Sequence, residues 1–340
     1  MKSRLLEKLD AIRRGTDPRT FILADAKDAD MAWGTTAPGA PYPAGSRRWK
    51  SMPEFRQDIR DVVADGVIDI LLASVSQMSQ LAHRQGVFRD CEVTPAIRAN
   101  DTSDIWCGRG ASYRDAASRP FSSCHLEEAM YGTMYPAKGA LPAVDLGLYS
   151  ITFNNDLEAD RESLTAFKAF RTEAQRQGFH YFLEVFAPNL EGRVAAEDLP
   201  HFINDQICRT LAGVPVGNWP VFLKIPFISP EAMEDLAAYD PGNLIVGILG
   251  GSSGTSYDAF KLLAEAQKHG ARVALFGRKI KDAEHPVEFI RHLRRITDGD
   301  ISAEEAVKSY HGALQSHGLR PKRGLDEDSR LTAVELSYAR

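Results

Sequence analysis

Eight short runs rich in apolar and β-branched residues punctuate the chain, each followed by a longer segment that can be helical, and no other feature limits the fold as much. The runs occupy 20–27, 67–74, 93–100, 143–153, 180–186, 220–227, 244–250 and 272–278. They are apolar on both faces, as parallel strands covered by helices are. Between them, 160–178 brings Leu164, Phe167 and Phe170 back near helical spacing before a closing glycine. Similarly, 255–270 opens on the cap-like Thr255-x-x-Asp258 and closes on Gly270. Eight β-α units in about 300 residues predict an α/β fold of the (β/α)8 TIM-barrel type, which takes about 250 residues plus insertions. A doubly wound open sheet is the alternative, but no G-x-G-x-x-G follows the first run.

The expected organisation is one barrel domain over 1–317, with an amphipathic N-terminal helix in "MKSRLLEKLDAIRRG" and a C-terminal helical extension. That extension comprises "HPVEFIRHLRRI" and then "SAEEAVKSYHGALQSHG", which opens on a Ser302-x-x-Glu305 capping box. Gly, Pro and Ser interrupt the rhythm near 34–55 and 106–142, after the first and third runs. In a barrel such insertions belong on the catalytic face or in a subunit contact. The charged tail, 318–340, is read as extended or used in assembly.

Composition removes several classes of function. The formal net charge is −5 and the basic residues are scattered, so neither nucleic acid nor an anionic membrane is the expected partner. Cys91, Cys107, Cys124 and Cys208 form no C-x-x-C and are expected to be reduced thiols. Nine histidines show no H-x-H or H-x-x-x-H grouping, so no metal site is expected. With no signal-peptide core or membrane-spanning run, the protein is expected in the cytoplasm.

Three strands carry charges where a simple core strand would not. In "VFLKIPF" (221–227) alternation sends Phe222, Lys224 and Pro226 one way and Leu223, Ile225 and Phe227 the other. If the second set meets the helices, Lys224 enters the barrel near its C-terminal mouth. Desolvation there lowers a lysine pKa, and the neutral amine is the nucleophile that Schiff-base chemistry requires. A lysine paired with a barrel carboxylate, or reaching out to the mouth, is the plainer alternative. "LADAKDAD" gives Asp25 and Lys27 a common facing. Lys27 could hold Lys224 neutral or bind an anion, and Asp25 could position either amine; both could equally lie in solvent past the strand. Glu184 in "HYFLEVF" is a second lone charge, expected to have a raised pKa and to act as general acid/base, or else to pair with a lysine for structure.

The last two strands end in "ILGGSSG" and "LFGRKI". Adjacent glycines let backbone N–H groups approach a phosphate, so Gly250, Gly251, Ser252, Gly277 and Arg278 are the expected phosphate-binding residues, at the strand ends where barrels commonly hold phosphate, with a plain tight turn as the alternative for each. Arg98 is taken as a second anion-binding group, with a surface arginine as the alternative.

At this point "ILADAKD", "YFLEVFAPN", "VFLKIPF" and "ILGGSSGTSYDAFKLLAEAQKHGARVALFGRKI" resemble the class I aldolases that include tagatose bisphosphate, archaeal-type fructose bisphosphate and deoxyribose phosphate aldolases. The match is best over the C-terminal third and patchy from 30 to 140. The resemblance implies Lys224 as the imine-forming lysine, Glu184 and Asp25 as its carboxylates, and the two glycine turns as phosphate sites. Lys27 stands where the tagatose-type branch commonly has arginine. That branch has a strand-four lysine whose nearest counterpart here is Asp145 or Tyr149, and the fructose-type branch has a strand-five tyrosine where Phe186 stands. "ITDGDISAEEAVKSYHGAL" is also similar to the end of an aldolase domain used in inositol breakdown.

The resulting expectation is a metal-independent, cofactor-free lyase. It would cleave or form a C–C bond in a phosphorylated ketose or keto acid through a lysine imine, and would work as a homo-oligomer. A phosphosugar isomerase or epimerase, which needs no imine, and a noncatalytic sugar-phosphate binder or scaffold remain the alternatives.

Overall fold

The computed structural model describes residues 1–45, 47–106, 108–251, 254–333 and 336. Eight parallel strands form the central sheet among them: β1 (Ile22–Lys27), β2 (Ile70–Ala73), β3 (Thr94–Arg98), β4 (Leu146–Thr152), β5 (His180–Phe186), β6 (Leu223–Lys224), β7 (Gly247–Leu249) and β8 (Val273–Phe276). Neighbours in sequence are neighbours in the sheet, and β1 pairs with β8. The ring closes between β6 and β7 through an Ile225 bridge to Ile248, with Ile225 N–H donating to the Gly247 carbonyl at 3.0 Å and Leu249 N–H to the Ile225 carbonyl at 2.9 Å. This is the TIM barrel expected from the eight runs, each strand lying within its run.

Two apolar layers explain the alternation. Ile22, Ala24, Leu72, Leu148, Phe182 and Phe222 fill the barrel interior, where Phe182 stacks on Phe222 at 4.6 Å. Leu23, Leu71, Leu183, Leu223, Ile225 and Phe227 face outward and join the helices in a second core. The helix Ser3–Arg14 adds Leu5 and Leu9 to the inner cluster. Its Lys8, together with Arg294, reaches Asp69 just before β2, so this helix covers the N-terminal end of the barrel.

Helix boundaries follow local chemistry. Leu157–Gln177 starts at Asp156, whose side chain accepts from Ala159 N–H, and stops at Gly178 with φ of 66°. Capping boxes open Ser256–Lys268 at Thr255 and Ala303–Ser316 at Ser302. A third, Ser51 with Glu54, starts the helix Met52–Asp65 inside the segment read as a 34–55 loop, so that loop ends at 51. The long insertion carries a short helix, Leu126–Tyr131, and its Pro120–Phe121 pairs antiparallel with Asp101–Thr102 just ahead of it.

The chain after Gly318 folds back on the barrel. Buried Asp328 accepts from Ser256 N–H at 2.8 Å and meets the His311 ring at 3.0 Å. Thr332 N–H donates to Asp258 at 2.6 Å. The beginning of the helix after β7 is therefore tied to the C-terminal segment. Among the described residues no helix is long and apolar enough to cross a membrane.

Candidate active site

Alternation places Glu184 two residues beyond Phe182 and Lys224 two beyond Phe222, so both side chains point inward just above the aromatic floor. They are direct register partners on β5 and β6, and Lys224 Nζ lies 2.5 Å from Glu184 Oε1. Lys224 is 9% exposed and Glu184 1%. The pair is buried yet opens into a cavity of about 240 Å³ at the C-terminal mouth.

The second oxygen of Glu184 is also engaged. Ser150 Oγ donates to Oε2 at 2.6 Å, and Arg98 lies 3.5 Å from the same atom. Arg98 in turn donates to Asp28 at 3.1 Å and to Ser150 Oγ at 3.2 Å. Asn100 fixes Ser150 through both backbone groups, accepting from its N–H at 2.7 Å and donating to its carbonyl at 2.9 Å. Burial alone would push the Glu184 carboxyl up, but Lys224, Arg98 and the hydrogen bonds from Lys224 and Ser150 outweigh it and hold the group below the usual carboxylate range. The expected raised pKa is thus corrected. A lone buried carboxylate would be raised; one with two cations beside it is not.

Asp25 and Lys27 form their own ion pair at 2.8 Å, 0% and 1% exposed. They share the parity of Leu23, which faces the helix layer, whereas Ala24, Ala26 and Asp28 face the barrel interior and its mouth. Neither lines the mouth, and the structure does not bring them to Lys224. The correction is one of facing: small Ala24 and Ala26 occupy the narrow interior, which turns the charged pair outward. Burial raises the Asp25 pKa against the opposing effect of Lys27.

Gly250, Gly251, Gly277 and Arg278 do line the mouth, at the ends of β7 and β8. Ser252 lies outside the described residues. A side chain at Gly250 would bring Cβ to 2.2 Å from Phe276 Cδ1, and Gly251 has φ of 56°, so both positions require glycine. Arg278 lies over the Trp33 ring at 5.9 Å. Arg98 lines the mouth as expected, but its charge is answered by Asp28 and Glu184, and it works as a clamp on Glu184.

Of the strand-four residues, Tyr149 stacks on Phe170 at 4.3 Å in the helix layer, and Asp145 pairs with the Met1 amino group before the strand begins. The residue facing Glu184 is Ser150. Phe186 lines the mouth. Sequence reasoning also missed Asp28, Asp104 and Arg114, which line it too. Asp28 was within reach: it continues the inward alternation of Ala24 and Ala26 one residue past the end of β1. A larger cavity of about 740 Å³ lies outside the barrel, between the loop after β1 and the segment after β8; it contains neither Lys224 nor Glu184 and shares Trp33 and Arg278 with the mouth.

The mouth carries four cations (Arg98, Arg114, Lys224, Arg278) against three carboxylates (Asp28, Asp104, Glu184). This favours anionic ligands on a protein of negative net charge. Among the described residues no three His, Cys, Asp or Glu side chains gather as a cation site.

No family model matches the chain. A stretch of 92 residues is 30% identical to 2-amino-3,7-dideoxy-D-threo-hept-6-ulosonate synthase 1 of Archaeoglobus fulgidus, covering 27% of this chain and 34% of that relative. Among solved structures, fructose-bisphosphate aldolase from Slackia heliotrinireducens superposes with a TM-score of 0.62 at 14% identity, over 92% of each chain. An archaeal fructose-1,6-bisphosphate aldolase, with its catalytic lysine covalently bound to the carbinolamine intermediate, superposes with a TM-score of 0.59 at 16% identity, over 87% of this chain and all of that one. These likenesses establish the barrel fold, and their names agree with the resemblance read from the motifs.

Proposed function

We propose that the protein is a class I aldolase in which Lys224 forms an imine with a phosphorylated ketose or keto acid. The observation that carries this reading is the buried contact of Lys224 with Glu184 at the base of an open, anion-favouring cavity. An ion pair serving stability alone gains nothing from facing a cavity.

The geometry supports the following chemistry. Glu184, 2.5 Å from Nζ, is the base that takes a proton from the Lys224 ammonium. The free amine then adds to the substrate ketone. Glu184 returns the proton to the carbinolamine hydroxyl, which leaves as water, and the iminium forms. Glu184, a carboxylate again, takes the proton of the hydroxyl on the carbon β to the iminium, and the C–C bond breaks with its electron pair moving into the iminium, giving an enamine and an aldehyde. Protonation and hydrolysis of the enamine then regenerate Lys224. Arg98 and Ser150 hold Glu184 in place and stabilise its charge. The turns at Gly250–Gly251 and Gly277–Arg278 are assigned the phosphate. No step requires a metal or an organic cofactor.

Asp25 and Lys27 carry no step in this scheme, because their side chains face the helix layer. Incubation with dihydroxyacetone phosphate and borohydride tests the reading: a reduced adduct on Lys224, located by peptide mass spectrometry, supports it. Turnover of a sugar phosphate without an adduct would instead indicate an isomerase or epimerase, and binding without turnover a noncatalytic role.

A further inference from the structure

The cavity of about 740 Å³ beside the barrel mouth is walled by segments that are fastened to one another. The loop after β1 closes on itself where Lys50 N–H donates to the Gly39 carbonyl at 2.9 Å. Gly39, with φ of 76°, passes so near the segment after β8 that a Cβ there would lie 3.2 Å from Asp282 Oδ1. The Tyr42 hydroxyl donates to the Arg320 carbonyl, joining the loop to the chain after Gly318. Lys50 pairs at 2.5 Å with Asp58, on the helix Met52–Asp65. The space is thus preformed, and its size falls in the range of small-molecule sites, about 300–1,000 Å³.

Its chemistry differs from that of the mouth. Four cations (Lys50, Arg278, Lys281, Lys322) meet four carboxylates (Asp58, Asp61, Asp282, Glu284), so the wall has no net charge. Lys281 lies 3.3 Å from Asp282, and Lys322 donates to the Asp282 carbonyl with its ammonium 4.9 Å from the centre of the Tyr42 ring. His285 adds no charge near neutral pH, because burial and the neighbouring His317 hold its pKa below the usual histidine value. A phosphate gains little from a wall so balanced. A hydroxyl gains more, since a paired ammonium keeps further N–H groups and a paired carboxylate further lone pairs. Trp33, Tyr42 and Trp49, each half-buried, bring three aromatic rings to the same wall. Their faces carry the negative side of the ring quadrupole, which attracts the slightly positive C–H groups on the face of a sugar ring.

We propose that this cavity binds a neutral carbohydrate, its C–H faces against the aromatic rings and its hydroxyls on the paired charges. Trp33 and Arg278 border both spaces, whereas Lys224 and Glu184 belong to the mouth alone, so the sugar lies beside the reacting centre and not over it. The inference goes beyond the aldolase reading and does not depend on it.

Saturation-transfer NMR on the full chain with maltose, cellobiose, lactose and sucrose tests it, with adenosine monophosphate as a planar, anionic comparison. At least one disaccharide should take up saturation at its C–H protons, and Trp49→Ala should weaken its binding at least about threefold, the worth of an aromatic contact. Asp61→Ala, a change at an exposed position of the helix, should act in the same direction and decides the matter if Trp49→Ala does not fold. Lys224→Met and saturating inorganic phosphate should leave the disaccharide bound. The proposal is overturned if none of the four sugars binds, if binding is undiminished in the folded wall variants, or if phosphate or Lys224→Met removes it, which would place the sugar in the mouth. Tighter binding of adenosine monophosphate with the same dependence on Trp49 would overturn it in favour of a nucleotide site. Borohydride trapping on the wall variants keeps the two readings apart: a Lys224 adduct without sugar binding leaves the aldolase and removes this site, and sugar binding without an adduct does the reverse.

Discussion

Glu184 and Lys224 are register partners on adjacent parallel strands, and their side chains meet at 2.5 Å just above the stacked rings of Phe182 and Phe222. Adjacent strands of a barrel usually send their partnered residues into one layer, so this contact follows directly from register once both residues point inward. Lys224→Met is expected to abolish the borohydride-trapped adduct. Glu184→Gln is expected to retain the lysine but slow adduct formation by about 10²–10⁴-fold, the usual worth of a positioned acid/base. Single-turnover trapping followed by mass spectrometry measures both.

The depressed carboxyl of Glu184 also has a consequence for stability. Its folded pKa lies below its ordinary value of 4.5, so its contribution is fully present above that pH and is lost as pH falls through the folded value. Glu184→Gln should therefore be less stable than wild type at neutral pH, with the difference shrinking as the solution is acidified below about 4.5. Urea midpoints followed from neutral into acid conditions decide this; a constant difference would show that the pair with Lys224 and Arg98 is not its source.

The Asp25–Lys27 pair predicts a different pattern. Asp25→Ala leaves the Lys27 ammonium buried without its partner and should cost about 3–5 kcal/mol, whereas Asp25→Ala with Lys27→Met should recover most of that loss. The double variant should still form the Lys224 adduct. Loss of the adduct in a folded double variant would return the pair to the chemistry.

At the turn proposed to hold phosphate, Gly250→Ala would drive its methyl group into the Phe276 ring, which is fully buried. Such overpacking costs about 1–3 kcal/mol. Displacement of the turn should weaken inorganic phosphate binding in calorimetry while Lys224 keeps its reactivity toward an unphosphorylated ketone.

The strands were legible because a closed parallel barrel buries each of them on both faces, leaving uninterrupted apolar runs such as 244–250. The facing of Lys224 was legible too, since Leu223, Ile225 and Phe227 are large enough to require the helix layer. On β1 the same argument failed. Ala24 and Ala26 are too small to declare a side, and the charges of Asp25 and Lys27 drew attention away from Asp28. Arg98, Ser150 and Arg114 depend on contacts between distant strands and an insertion, which spacing along one chain does not encode.

The strand that carries Lys224 is the shortest stave of the barrel. β6 has two residues and meets β7 through an isolated bridge, while β4 and β5 share seven consecutive register pairs. Lys224, the proposed nucleophile, is thus mounted beside the seam, and Glu184 on the strand with the longest run of register pairs. In the proposed reaction, making and breaking an imine moves the nitrogen between tetrahedral and planar bonding, and that motion would fall beside the seam, away from the long β4–β5 ladder. Hydrogen–deuterium exchange should report this as earlier labelling of Ile225 and Leu249 than of the amides between β4 and β5.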